Sequence, residues 1–167
     1  AEVPRPALPV LLSILLDRPV LEVGFRIYFE NVAVCIGRLL LSTEEVMMKV
    51  GCGSALIKRI FNLLSTVECS GERSSALSGY VRAFTFNISS IKAEDYKFIL
   101  LKINELVDFD VADSGLLNHL ERFRSPFLDN SEFYNLNLHP TLKHLFFHHQ
   151  LLHLFPSKLD HRLFSLV

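Results

Sequence analysis

Residues 54–67, Ser54-Ala55-Leu56-Ile57-Lys58-Arg59-Ile60-Phe61-Asn62-Leu63-Leu64-Ser65-Thr66-Val67, decide the fold class. Lys58, Arg59, Asn62, Ser65 and Thr66 recur at i, i+1, i+4, i+7 and i+8 and form one polar stripe. Leu56, Ile57, Ile60, Leu63, Leu64 and Val67 fill the other side, which is the spacing of an amphipathic helix. Residues 73–88 repeat the pattern. Ser75, Ser78, Gly79, Arg82 and Ser89 make the polar stripe there, and Ala76, Leu77, Tyr80, Val81, Phe84 and Ile88 the apolar one. No Asn-Gly or Asp-Gly hairpin turn occurs and no alternation is sustained, so strands have no support. The spacing predicts an all-α chain.

Working outward, helices are expected near 8–16, 20–41, 43–50, 54–67, 73–88, 91–108, 112–123, 139–155 and 157–166. Pro4, Pro6 and Pro9 give an extended lead-in, because each fixes its own backbone and restrains the residue before it. Ser42 and Thr43 before Glu44 and Glu45 suit a capped N-terminus, and Ser90 before Glu94 and Asp95 suits another. Gly51 and Gly53 can supply the backbone freedom of a helix–helix corner. Pro140 fits a first helical turn and Pro156 a helix end. The stretch 124–137 reads as the one long irregular segment, a connector or a binding loop.

Composition agrees with a packed helical body. The chain has 167 residues, half of them hydrophobic and only 21% charged. That length is one domain, expected to span 1–167 and to be a piece of a longer protein. So much aliphatic surface with so little charge excludes a disordered tail. Seventeen basic residues against eighteen acidic ones give a net charge of −1, so no whole-chain basic field exists to hold a nucleic-acid backbone. Val32–Leu41 is broken by Arg38 and falls short of the about 18 residues a membrane span requires. Leu8–Leu16 ends at Asp17 and Arg18 and follows three prolines, which does not match a signal peptide. Cys35, Cys52 and Cys69 are odd in number and include no Cys-x-x-Cys, which points to a reducing compartment, cytoplasm or nucleus. The sequon Asn87-Ile88-Ser89 would matter only in a secretory context.

An offset of about 47 residues gives weak self-similarity: Cys35–Thr43 can be laid on Arg82–Ser90, and both end in a hydroxyl pair. Periods of 40–47 residues are those of helical solenoids. Glu44-Glu45-Val46-Met47-Met48-Lys49-Val50-Gly51 followed by Ala55–Ser65 resembles an armadillo repeat's short first helix, glycine corner and second helix. Ser75–Ser89 resembles its long third helix, with Phe86-Asn87-Ile88-Ser89 similar to a closing Asn-Leu-Ser. The resemblance to the armadillo-like and related HEAT-like families covers about 30–110. It implies a right-handed helical solenoid fragment with an elongated groove that takes a partner peptide or helix. It also implies that Asn87 clamps a partner's main chain and that Arg82 lines the same groove. The second repeat lacks the glycine corner, and beyond 110 the pattern fades into a His/Phe/Leu-rich part, 111–167. The alternative architecture is a compact irregular helical bundle.

Other constellations carry less. His139, His144, His148, His149, His153 and His161 crowd the last 29 residues. His144/His148 and His149/His153 have the i, i+4 spacing with which two imidazoles meet one metal, but the pairs face different ways and no nearby Cys or acid completes a set. They read first as polar edges of an apolar helix and second as a pH-sensitive interface. Phe147, Leu151 and Leu154 make that helix apolar on its second side, so it is either buried in the core or covered by a partner. Glu105, Asp108, Asp110 and Asp113 form an acidic corner, solvated or facing a basic partner. Gly51-Cys52-Gly53-Ser54 has the look of an anion-binding turn, yet it lacks the Lys-Ser/Thr of a P-loop and follows a helix. Lys58, Arg59, Arg73 and Arg82 could share a face, diluted by Glu68 and Glu72.

The expected function is therefore a non-enzymatic protein–protein interaction or scaffold module, without cofactor, metal, nucleic acid or membrane. Arg82, Asn87, Phe147, Leu151 and Leu154 are its candidate partner-binding residues, and it could be a subunit of a larger complex. The alternative is a compact bundle, regulatory or viral, that dimerises or sequesters a partner helix. A metal enzyme built on His144 and His148 is the third reading.

Overall fold

The computed structural model describes residues 23–44, 53–125 and 130–146. Among them every regular element is helical: α1 (Val23–Leu40), α2 (Ser54–Leu64), α3 (Ser70–Phe86), α4 (Ala93–Leu106), α5 (Ser114–Arg122) and α6 (Asn130–Asn135). A 3-10 turn, Ile88–Ser90, follows α3, and residues 140–146 are helical with Pro140 in the first position. The chain is all-α. The expected helices at 8–16 and 157–166, most of that at 43–50, and 139–155 past Phe146 lie outside the described residues.

Two expectations about boundaries are corrected. The segment 124–137 is not irregular throughout, because α6 occupies Asn130–Asn135 and Lys97 of α4 pairs with its Glu132 at 3.1 Å. Ser90 does not cap α4, whose N-cap position is Lys92 with no side-chain hydrogen bond. Ser90 belongs to the 3-10 turn, and its hydroxyl donates to the Asn87 carbonyl at 2.8 Å. The clearest side-chain cap is Asp113, whose Oδ1 accepts from the Leu116 amide at 2.7 Å at the start of α5.

The helices form two sets. In the first, α1 packs on α3 and α3 on α5; in the second, α2 packs on α4. α1 and α3 run parallel, and so do α2 and α4. Gly37 meets Ala76, Gly79 meets Gly37 and Leu40, and Arg82 reaches Leu40 and Thr43, so contacts advance in the same direction along α1 and α3. On α2 and α4, Ser54 joins Asp95 near both N-termini, and Phe61 meets Phe98 edge-on at 6.0 Å further along. Gly37 and Gly79, which meet at the crossing, stand 42 positions apart, within the range of a helical-repeat period.

The α1–α3 crossing is closed by glycine. A Cβ built on Gly37 would lie 2.5 to 2.8 Å from Ala76, and one built on Gly79 would overlap the Gly37 carbonyl. Neither glycine has positive φ. Both are required for proximity rather than for backbone freedom, and the two backbones meet with only Ala76 between them. This corrects the reading of 73–88 as a simple amphipathic helix: Ser78 and Gly79 of its polar stripe are buried, and α3 is buried on all sides from Ala76 to Val81. Gly53, expected to turn a corner, sits at φ −74°, ψ 159°, which any residue adopts.

Aromatic rings tie the sets together. Phe61 of α2 stacks on Phe84 of α3 at 6.1 Å, Phe84 meets Phe123 at 6.3 Å, and Phe123 meets Tyr96 of α4 at 4.7 Å. The buried phenols find partners: the Tyr80 hydroxyl donates to the Ala33 carbonyl and the Tyr96 hydroxyl to the Phe123 carbonyl, each at 2.6 Å. Burial raises both phenols well above their ordinary range, so they remain neutral donors. Buried Asp95 accepts from Ser54 at 2.6 Å, which ties the first turn of α4 to the start of α2.

Substitutions separate crowding from helix propensity. Gly79→Ala should destabilise the chain by about 2–3 kcal/mol, because neither backbone can yield without moving a helix. Gly71→Ala, near the start of α3 with nothing within 4 Å, should instead stabilise it by up to about 1 kcal/mol. Urea denaturation of the two variants checks both signs. Tyr96→Phe should cost about 1–2 kcal/mol in the same assay, since the Phe123 carbonyl loses its hydroxyl donor.

Candidate interaction surface

Two sequence-selected residues, Arg82 and Asn87, come from the last part of α3 and the position that ends it. Arg82 is half-buried. Its Nη1 donates to the Leu40 carbonyl at 2.6 Å and to the Thr43 carbonyl at 2.7 Å. Those carbonyls belong to the end of α1 and the turn after it, so the guanidinium supplies donors, and a compensating charge, where a helix runs out of its own. Ser42 and Thr43, expected to begin a helix, donate through their hydroxyls to the Leu39 carbonyl and close α1.

Asn87 is 9% exposed. Its Nδ2 donates to the Ala83 carbonyl at 2.8 Å, and its own carbonyl accepts from the Ser90 hydroxyl and amide. It therefore ends α3 and starts the 3-10 turn. The same burial holds the asparagine of the sequon Asn87-Ile88-Ser89 against the fold, while Ser89 is exposed.

The third structured neighbour at this edge is His119 of α5. Partial burial lowers its pKa below the ordinary 6.5, as do the Arg122 and Arg82 guanidiniums, while Asp113 opposes them. Arg38 at the end of α1 is exposed, as is Arg122 at the end of α5. Arg124, just past α5, donates from Nε to the Glu121 carbonyl and from Nη2 to the Leu145 carbonyl. The ends of α1, α3 and α5 thus share an edge rich in guanidinium groups, several of them already bonded to backbone.

Phe147, Leu151, Leu154 and His148 lie outside the described residues. His144 is exposed, and among the described residues no group of three or more His, Cys, Asp or Glu could hold a metal ion. His139 is used locally: its amide donates to Asn104 Oδ1 at 2.6 Å, its Nδ1 accepts from the Thr141 amide at 3.1 Å, and its ring stacks on Phe109 at 4.8 Å. His139, Asn104 and Phe109 line an open recess of about 390 Å³ together with Asp108, Asp110 and Asn137. The acids of that corner have local duties. Glu105 pairs with Lys102 at 3.4 Å, Asp108 accepts from the Asp110 amide, and Asp113 caps α5.

Three members of the expected basic face have separate partners. Arg59 lies over the Phe29 ring at 5.4 Å, Arg73 donates to the Val67 carbonyl, and Arg82 closes α1. Cys35 and Cys69 are exposed and free. Among the described residues no helix is long and apolar enough to cross a membrane. Sequence reasoning gave no role to Gly37 or Asn104, and it read Tyr80 only as an apolar-face residue and Asp95 only as a first-turn acid. For Gly37 a usable signal existed, since a glycine inside a helical pattern often has a packing reason.

Comparison of the chain with protein-family models, with curated proteins and with solved structures gives no match.

Two outcomes follow from the edge. Asn87→Ala should lower stability by about 1 kcal/mol through the lost bond to Ala83, read by thermal or urea unfolding. His119 is a base whose folded pKa lies below its unfolded one, so protons favour the unfolded chain. Its stabilising contribution is complete above pH 6.5 and is lost as pH falls through and below that value. Urea midpoints measured from about pH 7.5 to about pH 5.5 should fall more steeply for wild type than for His119→Gln.

Proposed function

We propose that the chain is a non-catalytic, armadillo/HEAT-like stacked-helix module that binds a peptide or amphipathic helix of a partner protein, in the cytoplasm or nucleus. What supports this reading is the parallel register of helices one period apart, α1 beside α3 and α2 beside α4. Up-down bundles place consecutive helices antiparallel, whereas solenoids set equivalent helices of successive repeats side by side in the same direction. In the proposal, outer turns of the helices hold the partner's main chain, and Phe147, Leu151 and Leu154 bury its apolar side chains, a few anchors providing most of the affinity. Arg82 and Asn87 shape that surface by fixing the ends of α1 and α3.

A compact bundle that dimerises or sequesters a helix is favoured by one observation, the all-round burial of α3 from Ala76 to Val81. Small-angle scattering discriminates the two: an elongated particle is expected for the solenoid, and a globular one favours the bundle. The binding reading is tested by pull-down from native extract with wild type and Leu151→Asp/Leu154→Asp, with circular dichroism on both. Loss of a partner from a variant of unchanged helicity is the expected result. Retention of every partner by a folded variant would sink the interface assignment.

A further inference from the structure

No further inference is drawn: the strongest candidate, the open recess beside the end of α4 lined by Asp108, Asp110, Phe109 and His139, is an exposed acidic corner whose polar neighbours already bond one another, and nothing in the structure shows what would occupy it.

Discussion

The close approach of α1 and α3 at Gly37, Ala76 and Gly79 is the constraint from which much of the structure follows. Two helices carrying ordinary side chains keep their axes some 8–10 Å apart. Here the small residues remove that spacer, and backbone meets backbone. The separation in turn sets how far Tyr80 must reach to find the Ala33 carbonyl, and it brings Arg82 within bonding distance of Leu40 and Thr43. A slip of one turn between the helices would cost the glycine contact and these polar bonds together. The crossing is thus specified by steric fit and hydrogen bonding at once.

Polar groups elsewhere follow the same economy. Tyr96 closes on the Phe123 carbonyl, Asp95 on Ser54, and Asn104 on both the His139 amide and the Asn137 carbonyl. Each joins segments distant in sequence, and the bonds of Tyr96 and Asp95 satisfy groups that burial would otherwise penalise. The exposed Lys97–Glu132 pair adds little beside them, since solvent screens it.

The sequence made the helices legible where apolar residues recur with a single period. Ser54–Leu64 and Ala93–Leu106 fall inside the expected spans, and Ser114–Arg122 does too. The interior of α3 was misread because Ser78 and Gly79 look polar by type. A serine can bury by donating to its own helix, as Ser78 does to the Ser74 carbonyl, and a glycine has no side chain to expose. The helix at Asn130–Asn135 escaped because a six-residue element is too short for periodicity to register. Arg82 and Asn87 were singled out by the resemblance to an armadillo repeat's third helix, which could not reveal that their bonds go to helix ends. The partners of Arg82 become neighbours only after the chain folds, the Leu40 and Thr43 carbonyls lying 42 and 39 positions away.

Parallel stacking has an electrical consequence. In an antiparallel pair the peptide dipoles oppose and largely cancel, whereas side by side in one direction they reinforce. The C-terminal ends of α1, α3 and α5 gather near Leu40, Phe84 and Phe123, so their partial negative charges accumulate along one edge. Arg38, Arg82, Arg122 and Arg124 stand at that edge as its counterions. The first turn of α4 lies at this same edge, Tyr96 meeting Phe123 at 4.7 Å, and there buried Asp95 accepts from Ser54 at the start of α2. In a chain of net charge −1, the places where its helices end, rather than its amino-acid count, determine where these cations gather.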